Sequence, residues 1–155
     1  MFSFNFGHRF TSVVALALLG LAWAAPAAQA ADTKKFEASG AFQIDVDATH
    51  GRQFFFTAEG NARPGGSFDS TGYGHGNLGN YYEWVVQTLD FGNGNTLTLY
   101  IEDYLTSFDP FQRTGSYVIT AGTGNFAGAS GSGIFTGNPA GNGTGTFDLD
   151  GTIAN

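Results

Sequence analysis

From residue 36 onward, apolar and polar side chains alternate with a period of two. Along 36–46 (FEASGAFQIDV), Phe42, Ile44 and Val46 fall on one face and polar residues on the other, the pattern of a strand with one buried side. The same reading predicts strands at 53–62, 80–90, 96–104, 113–121, 130–137 and 145–153, with a short, glycine-rich one at 68–74. In 80–90 (NYYEWVVQTLD) Tyr82, Trp84 and Val86 share a face, which we take as the inner one; Glu83 would then meet solvent. In 96–104 (TLTLYIEDY) Leu97, Leu99 and Ile101 point inward, Asp103 shares their parity, and Tyr100 and Glu102 point out. No segment shows a sustained, capped 3.6-residue period, so no long helix is predicted.

The connectors read as turns. The stretch 91–95 (FGNGN) is a hairpin signal, because Asn and Gly adopt positive φ at low cost, and 138–143 plays the same part before the last strand. Eight short strands joined without crossover helices imply antiparallel pairing, in a sandwich or a closed barrel. A barrel removes exposed edges, a hazard in an aromatic-rich chain without edge lysines.

The start is organised differently. A mildly basic stretch with His8 and Arg9 precedes the apolar run 13–25, and Ala28-Gln29-Ala30 fits a small-x-small cleavage site. Residues 1–30 are therefore expected to be a signal peptide, leaving 31–155 as a single domain, secreted or periplasmic, with no later segment apolar enough to span a membrane as a helix. The chain has no cysteine, so packing and hydrogen bonds must stabilise it without disulfides, and thiolate chemistry is excluded. With 13 acidic residues and 5 of the 6 basic ones retained, the mature part carries a net charge of −8. That field disfavours nucleic acid and anionic lipid.

One segment carries a family likeness. In 115–137 (GSYVITAGTGNFAGASGSGIFTG) a strand ending in Ile-Thr runs into Gly-Thr-Gly-x-Phe-Ala-Gly and then another strand. This resembles exported bacterial proteins of the allene oxide cyclase barrel-like group, and plant dirigent proteins are similar at the matching turn. The stretch 74–79 (GHGNLG) looks like an upstream element of the same group, and the likeness covers roughly 72–153. It implies an all-β, eight-stranded antiparallel calycin-like closed barrel with an apolar cavity, in which relatives orient a fatty-acid epoxide or phenoxy radicals, and often a homo-oligomer. No catalytic residue carries over. In the turn itself, Gly122, Gly124 and Gly128 are expected to need backbone conformations forbidden to other residues, and Phe126 to plug one barrel end.

Candidate cavity residues are Phe42, Phe54, Phe56, Tyr82, Trp84, Leu99, Tyr117 and Phe135. A carboxylate among such side chains would have a raised pKa and could exchange protons with a ligand. Other chemistry finds little support. Asp45-x-Asp47-x-Thr49-x-Gly51 has the early spacing of a calcium loop, but its twelfth position is Phe56 rather than Glu. His50 and His75 lack zinc-ligand spacing, no Gly-x-Ser-x-Gly elbow is present, and the Gly-rich turn lacks the Gly-Lys-Ser/Thr of a phosphate loop. No metal or cofactor is expected.

Two functions follow as expectations. The first is a barrel that binds an apolar or aromatic small molecule and steers its cyclisation or isomerisation by orientation and water exclusion. A cavity of at least ~300 Å³ would favour it. The second is a non-enzymatic envelope or matrix protein that binds a polymer through surface aromatics such as Tyr73, Tyr81 and Tyr104. An outer-membrane barrel is disfavoured by the short, glycine-broken strands.

Overall fold

The computed structural model describes residues 32–155 except Leu78 and Asn80, with the backbone alone at 46–49. The expected signal peptide lies outside the described residues. Eight strands follow in order: β1 (Thr33–His50), β2 (Gln53–Arg63), β3 (Gly66–Asn77), β4 (Tyr82–Asp90), β5 (Thr96–Phe108), β6 (Phe111–Thr123), β7 (Ser130–Pro139) and β8 (Thr144–Ala154). Each pairs antiparallel with the next, and β8 closes on β1 through the register Thr33↔Ala154 to Gln43↔Thr144. The expected eight-stranded barrel is thus formed, and the sandwich is not. Among the described residues the only helical element is one 3₁₀ turn, Gly124–Phe126.

Most strands run longer than the alternation suggested, β1 with 18 residues and β3 with 12 among them, while β4 starts only at Tyr82. Two glycines of β3, Gly72 and Gly74, are seats for aromatic rings. Phe56 lies over Gly72 and Phe54 over Gly74, and Tyr117 spans Gly133 and Gly151 on β7 and β8. A Cβ at Gly133 would stand 2.7 Å from the Tyr117 ring. An eight-stranded barrel has room inside for about one layer of large side chains, so rings and empty positions must alternate around it.

The two barrel ends differ. At the end holding the β2–β3, β4–β5 and β6–β7 connections, Phe126 is buried and packs on Phe91 with ring centroids 5.0 Å apart, and Phe91 packs on Phe68 at 5.9 Å. This is the expected plug. Gly124 and Gly128 have φ of +58° and +77°, as the turn requires. Gly122 is a correction: its φ is not positive, and a side chain there would collide with the Phe126 carbonyl. The 91–95 turn also forms, with positive φ at Gly92, Asn93 and Gly94.

The strands, at 9 to 18 residues, are long enough for a bilayer, so the length argument against an outer-membrane barrel falls. Leu89, Leu97 and Leu99 fill the interior, while Lys35, Glu37, Asp148 and Asp150 stand exposed outside.

Candidate functional site

The other end, with the β1–β2, β3–β4, β5–β6 and β7–β8 connections, is not filled. It holds a chamber of about 280 Å³ walled by Phe42, Ile44, Phe54, Phe56, Val85, Ile101, Phe135 and Phe147. That is slightly under the ~300 Å³ at the small end of ligand sites. Three polar side chains, Glu83, Gln87 and Arg113, interrupt the apolar wall. Gln87 is held by donating from Nε2 to the Ser70 hydroxyl, 3.0 Å away, both residues being buried.

Glu83 and Arg113 belong to a charged trio with Asp103. Glu83 and Asp103 are direct cross-strand partners on β4 and β5, so two carboxylates face each other on the inner surface. Arg113, two residues into β6, donates from Nε to Asp103 Oδ1 and from Nη2 to the Tyr81 carbonyl at 3.2 Å, and its Nη2 lies 3.2 Å from Glu83 Oε2. Asp103 is fully buried, and its Oδ2 has no hydrogen-bond partner among the described residues. Burial raises the pKa of both carboxyls. Repulsion from Asp103 adds to the rise at Glu83, and the guanidinium opposes it at both. Two acids around one cation take up a proton more readily than isolated carboxyls, and that proton belongs to the pair rather than to either residue. The chamber therefore has an apolar wall and one proton-exchanging group, Glu83, that reaches it.

Of the residues chosen from the sequence, Phe42, Phe54, Phe56 and Phe135 line the chamber. Leu99 and Tyr117 face inward but lie in the packed core; Tyr117 packs edge-on to Phe36 at 6.0 Å, and burial lifts its hydroxyl pKa to about 12. Tyr82 and Trp84 are corrections, since both lie on the outer face. Trp84 stacks with His75 at 6.1 Å and Tyr100 at 6.5 Å, and Tyr82 donates to Glu102 at 2.7 Å. Glu83, expected in solvent, takes the inner position instead. The reason is register. The 91–95 turn pairs Leu89 with Leu97, Gln87 with Leu99, Val85 with Ile101 and Glu83 with Asp103, so the odd positions of β4 must share the face of the odd positions of β5. Asp103, Tyr100 and Glu102 take the faces their own alternation predicted.

Arg113, Gln87 and the inward role of Glu83 were missed. The signal for Glu83 and Gln87 was available in the hairpin turn, which transfers the clear parity of β5 to β4. The stretch 45–51 forms the end of β1 and a tight turn rather than an open loop. Among the described residues no three His, Asp or Glu side chains cluster as metal ligands. No protein-family model matches the chain, and neither a curated protein nor a solved structure is found to match it.

Proposed function

We propose that this is an exported barrel of the allene oxide cyclase-like and dirigent-like kind that binds an apolar or aromatic small molecule in the open-end chamber. The observation that carries the reading is the half-filled interior: one end is shut by packed phenylalanines, while the other keeps about 280 Å³ of mostly apolar space against the Glu83–Asp103 pair. Burying a ligand there would release water from its surface and from the rings. Five phenylalanine rings in the wall restrict how it can fold. Glu83 in its protonated form donates a hydrogen bond to a ligand oxygen, and a cyclisation or isomerisation can proceed by giving that proton and recovering one later, with no net redox change.

Native mass spectrometry of the protein from its producing host tests the binding, together with titration by the uncharged probe N-phenyl-1-naphthylamine. A co-purified small molecule and saturable probe uptake are expected, with at least about tenfold weaker uptake in Val85→Phe, which fills the chamber. Recovery of no ligand, with probe uptake identical in wild type and Val85→Phe, would sink the proposal.

A second reading has its own observation. Outer positions of adjacent strands place Phe55, Tyr73, Val86, Tyr100 and Val118 in one cross-strand row, beside His75 and Trp84. This strip favours attachment to an extended polymer without chemistry. Retardation of the protein in gels containing neutral polysaccharide, lost in Tyr73→Ser, would support it over the cavity.

A further inference from the structure

The open end continues outward into a second space. A vestibule of about 350 Å³ is lined by Tyr81, Leu105, Phe108 and Phe111, and it shares Glu83, Arg113 and Pro139 with the inner chamber. The Glu83–Arg113 ion pair therefore stands between two apolar spaces. Around the vestibule three aromatic side chains face solvent: Phe108 is 60% exposed, Tyr81 47% and Phe111 44%. They are not independent. Tyr81 meets Phe108 edge-on at 5.2 Å, and Phe108 meets Phe111 at 6.2 Å. Phe108 and Phe111 flank the two-residue tip of the β5–β6 hairpin, Asp109-Pro110, so the cluster is the outermost point of that hairpin.

We propose that this hairpin tip inserts into the surface of a zwitterionic lipid bilayer and that the barrel takes its ligand from that bilayer through the vestibule. The proposal rests on the cavity reading and extends it to the source of the ligand. Three observations select the occupant. A grouped, exposed aromatic cluster marks an interaction surface, and phenyl and phenol rings partition well at the lipid–water boundary. The cluster rims the mouth of an apolar chamber, so a protein partner or second copy seated there would cap the mouth, whereas a bilayer supplies apolar molecules through it. The charge fits a neutral surface: the tip carries Asp109 and no cation, and Arg113, the nearest guanidinium, is turned inward onto Asp103 and Glu83. With a mature net charge of −8, anionic lipid would repel the protein.

The test is flotation of the purified mature protein with phosphatidylcholine vesicles, with and without added phosphatidylserine. Wild type is expected to float with phosphatidylcholine and more weakly once phosphatidylserine is added. Phe108→Ser/Phe111→Ser, which changes only exposed side chains, is expected to lose at least about tenfold in partitioning while keeping the wild-type circular dichroism spectrum and melting temperature. Equal flotation of wild type and the double variant would overturn the proposal. So would no flotation of wild type, including the case in which sedimentation velocity shows the tip joining two copies of the chain. Absence of probe uptake with flotation intact would refute the cavity reading and the ligand source while leaving the docking surface standing.

Discussion

Replacing Arg113 by methionine keeps the stem and most of the volume while removing the cation that pairs with Asp103 and Glu83. The loss can be worked from the contacts. Asp103 is fully buried and its Oδ2 already has no partner among the described residues; without Arg113 its Oδ1 loses its donor too. Glu83, with its side chain 21% exposed, loses its ion pair and keeps some water. Breaking a buried pair from one side costs about 3–5 kcal/mol, a large share of the roughly 5–15 kcal/mol that holds a domain folded. The cost depends on pH, because both carboxyls already have raised pKa values and escape it by taking up protons. Arg113→Met is therefore expected to lose about 3–5 kcal/mol at pH 8 but only about 1–2 kcal/mol at pH 5. Urea unfolding followed by circular dichroism reads this as a midpoint lowered by roughly 2 M at pH 8. Adding Asp103→Asn to Arg113→Met should return about 2 kcal/mol at pH 8, since the amide leaves no charge to neutralise. A loss under about 1 kcal/mol at pH 8, or a loss independent of pH, would refute the idea that the trio is shielded from water.

The wild-type barrel should itself lose stability as pH rises from about 5 to 8, because its raised carboxyls make the folded chain bind more protons than the unfolded one across that window; Glu83→Gln should flatten a plot of melting temperature against pH. Phe126→Ala, which opens the plugged end, should cost about 3–5 kcal/mol in chemical denaturation and leave N-phenyl-1-naphthylamine affinity at the far end unchanged within about twofold. Gly133→Ala should cost at least about 2 kcal/mol, since its Cβ would collide with the Asp150 carbonyl oxygen and stand 2.7 Å from both the Tyr117 ring and the Gly151 backbone; unfolding at the wild-type urea midpoint would show that β7 and β8 shift apart freely.

Strand positions were legible because alternation is local. Leu97, Leu99 and Ile101 announce their face within one strand, and the 91–95 turn announces its own geometry. What was not legible is pairwise. Both parities of β4 are apolar, with Tyr82, Trp84 and Val86 on one and Val85 and Leu89 on the other, so the strand alone cannot choose between them. Only pairing with β5 decides, and that decision moves Glu83 into the chamber. Arg113 was hidden for a related reason. A lone cation near the start of a strand usually meets solvent, and its burial depends on Asp103 and Glu83 arriving from neighbouring strands. Glycine misled in the opposite sense. Read singly, the glycines of 68–74 suggest a weak strand, whereas each inward-facing one is complemented by a ring elsewhere in the chain.

That complementarity limits how the barrel can drift in sequence. A ring and the bare backbone beneath it are two halves of one decision. Enlarging Gly72 alone would displace Phe56, and shrinking Phe56 alone would open a void, yet making both changes could conserve volume. Neutral paths through the interior therefore run in coupled steps between neighbouring strands, while outward positions can change one at a time. Alanine at Gly72 combined with leucine at Phe56 should be better tolerated than either change by itself, which makes the inner wall a set of interlocking couples rather than a list of independent sites.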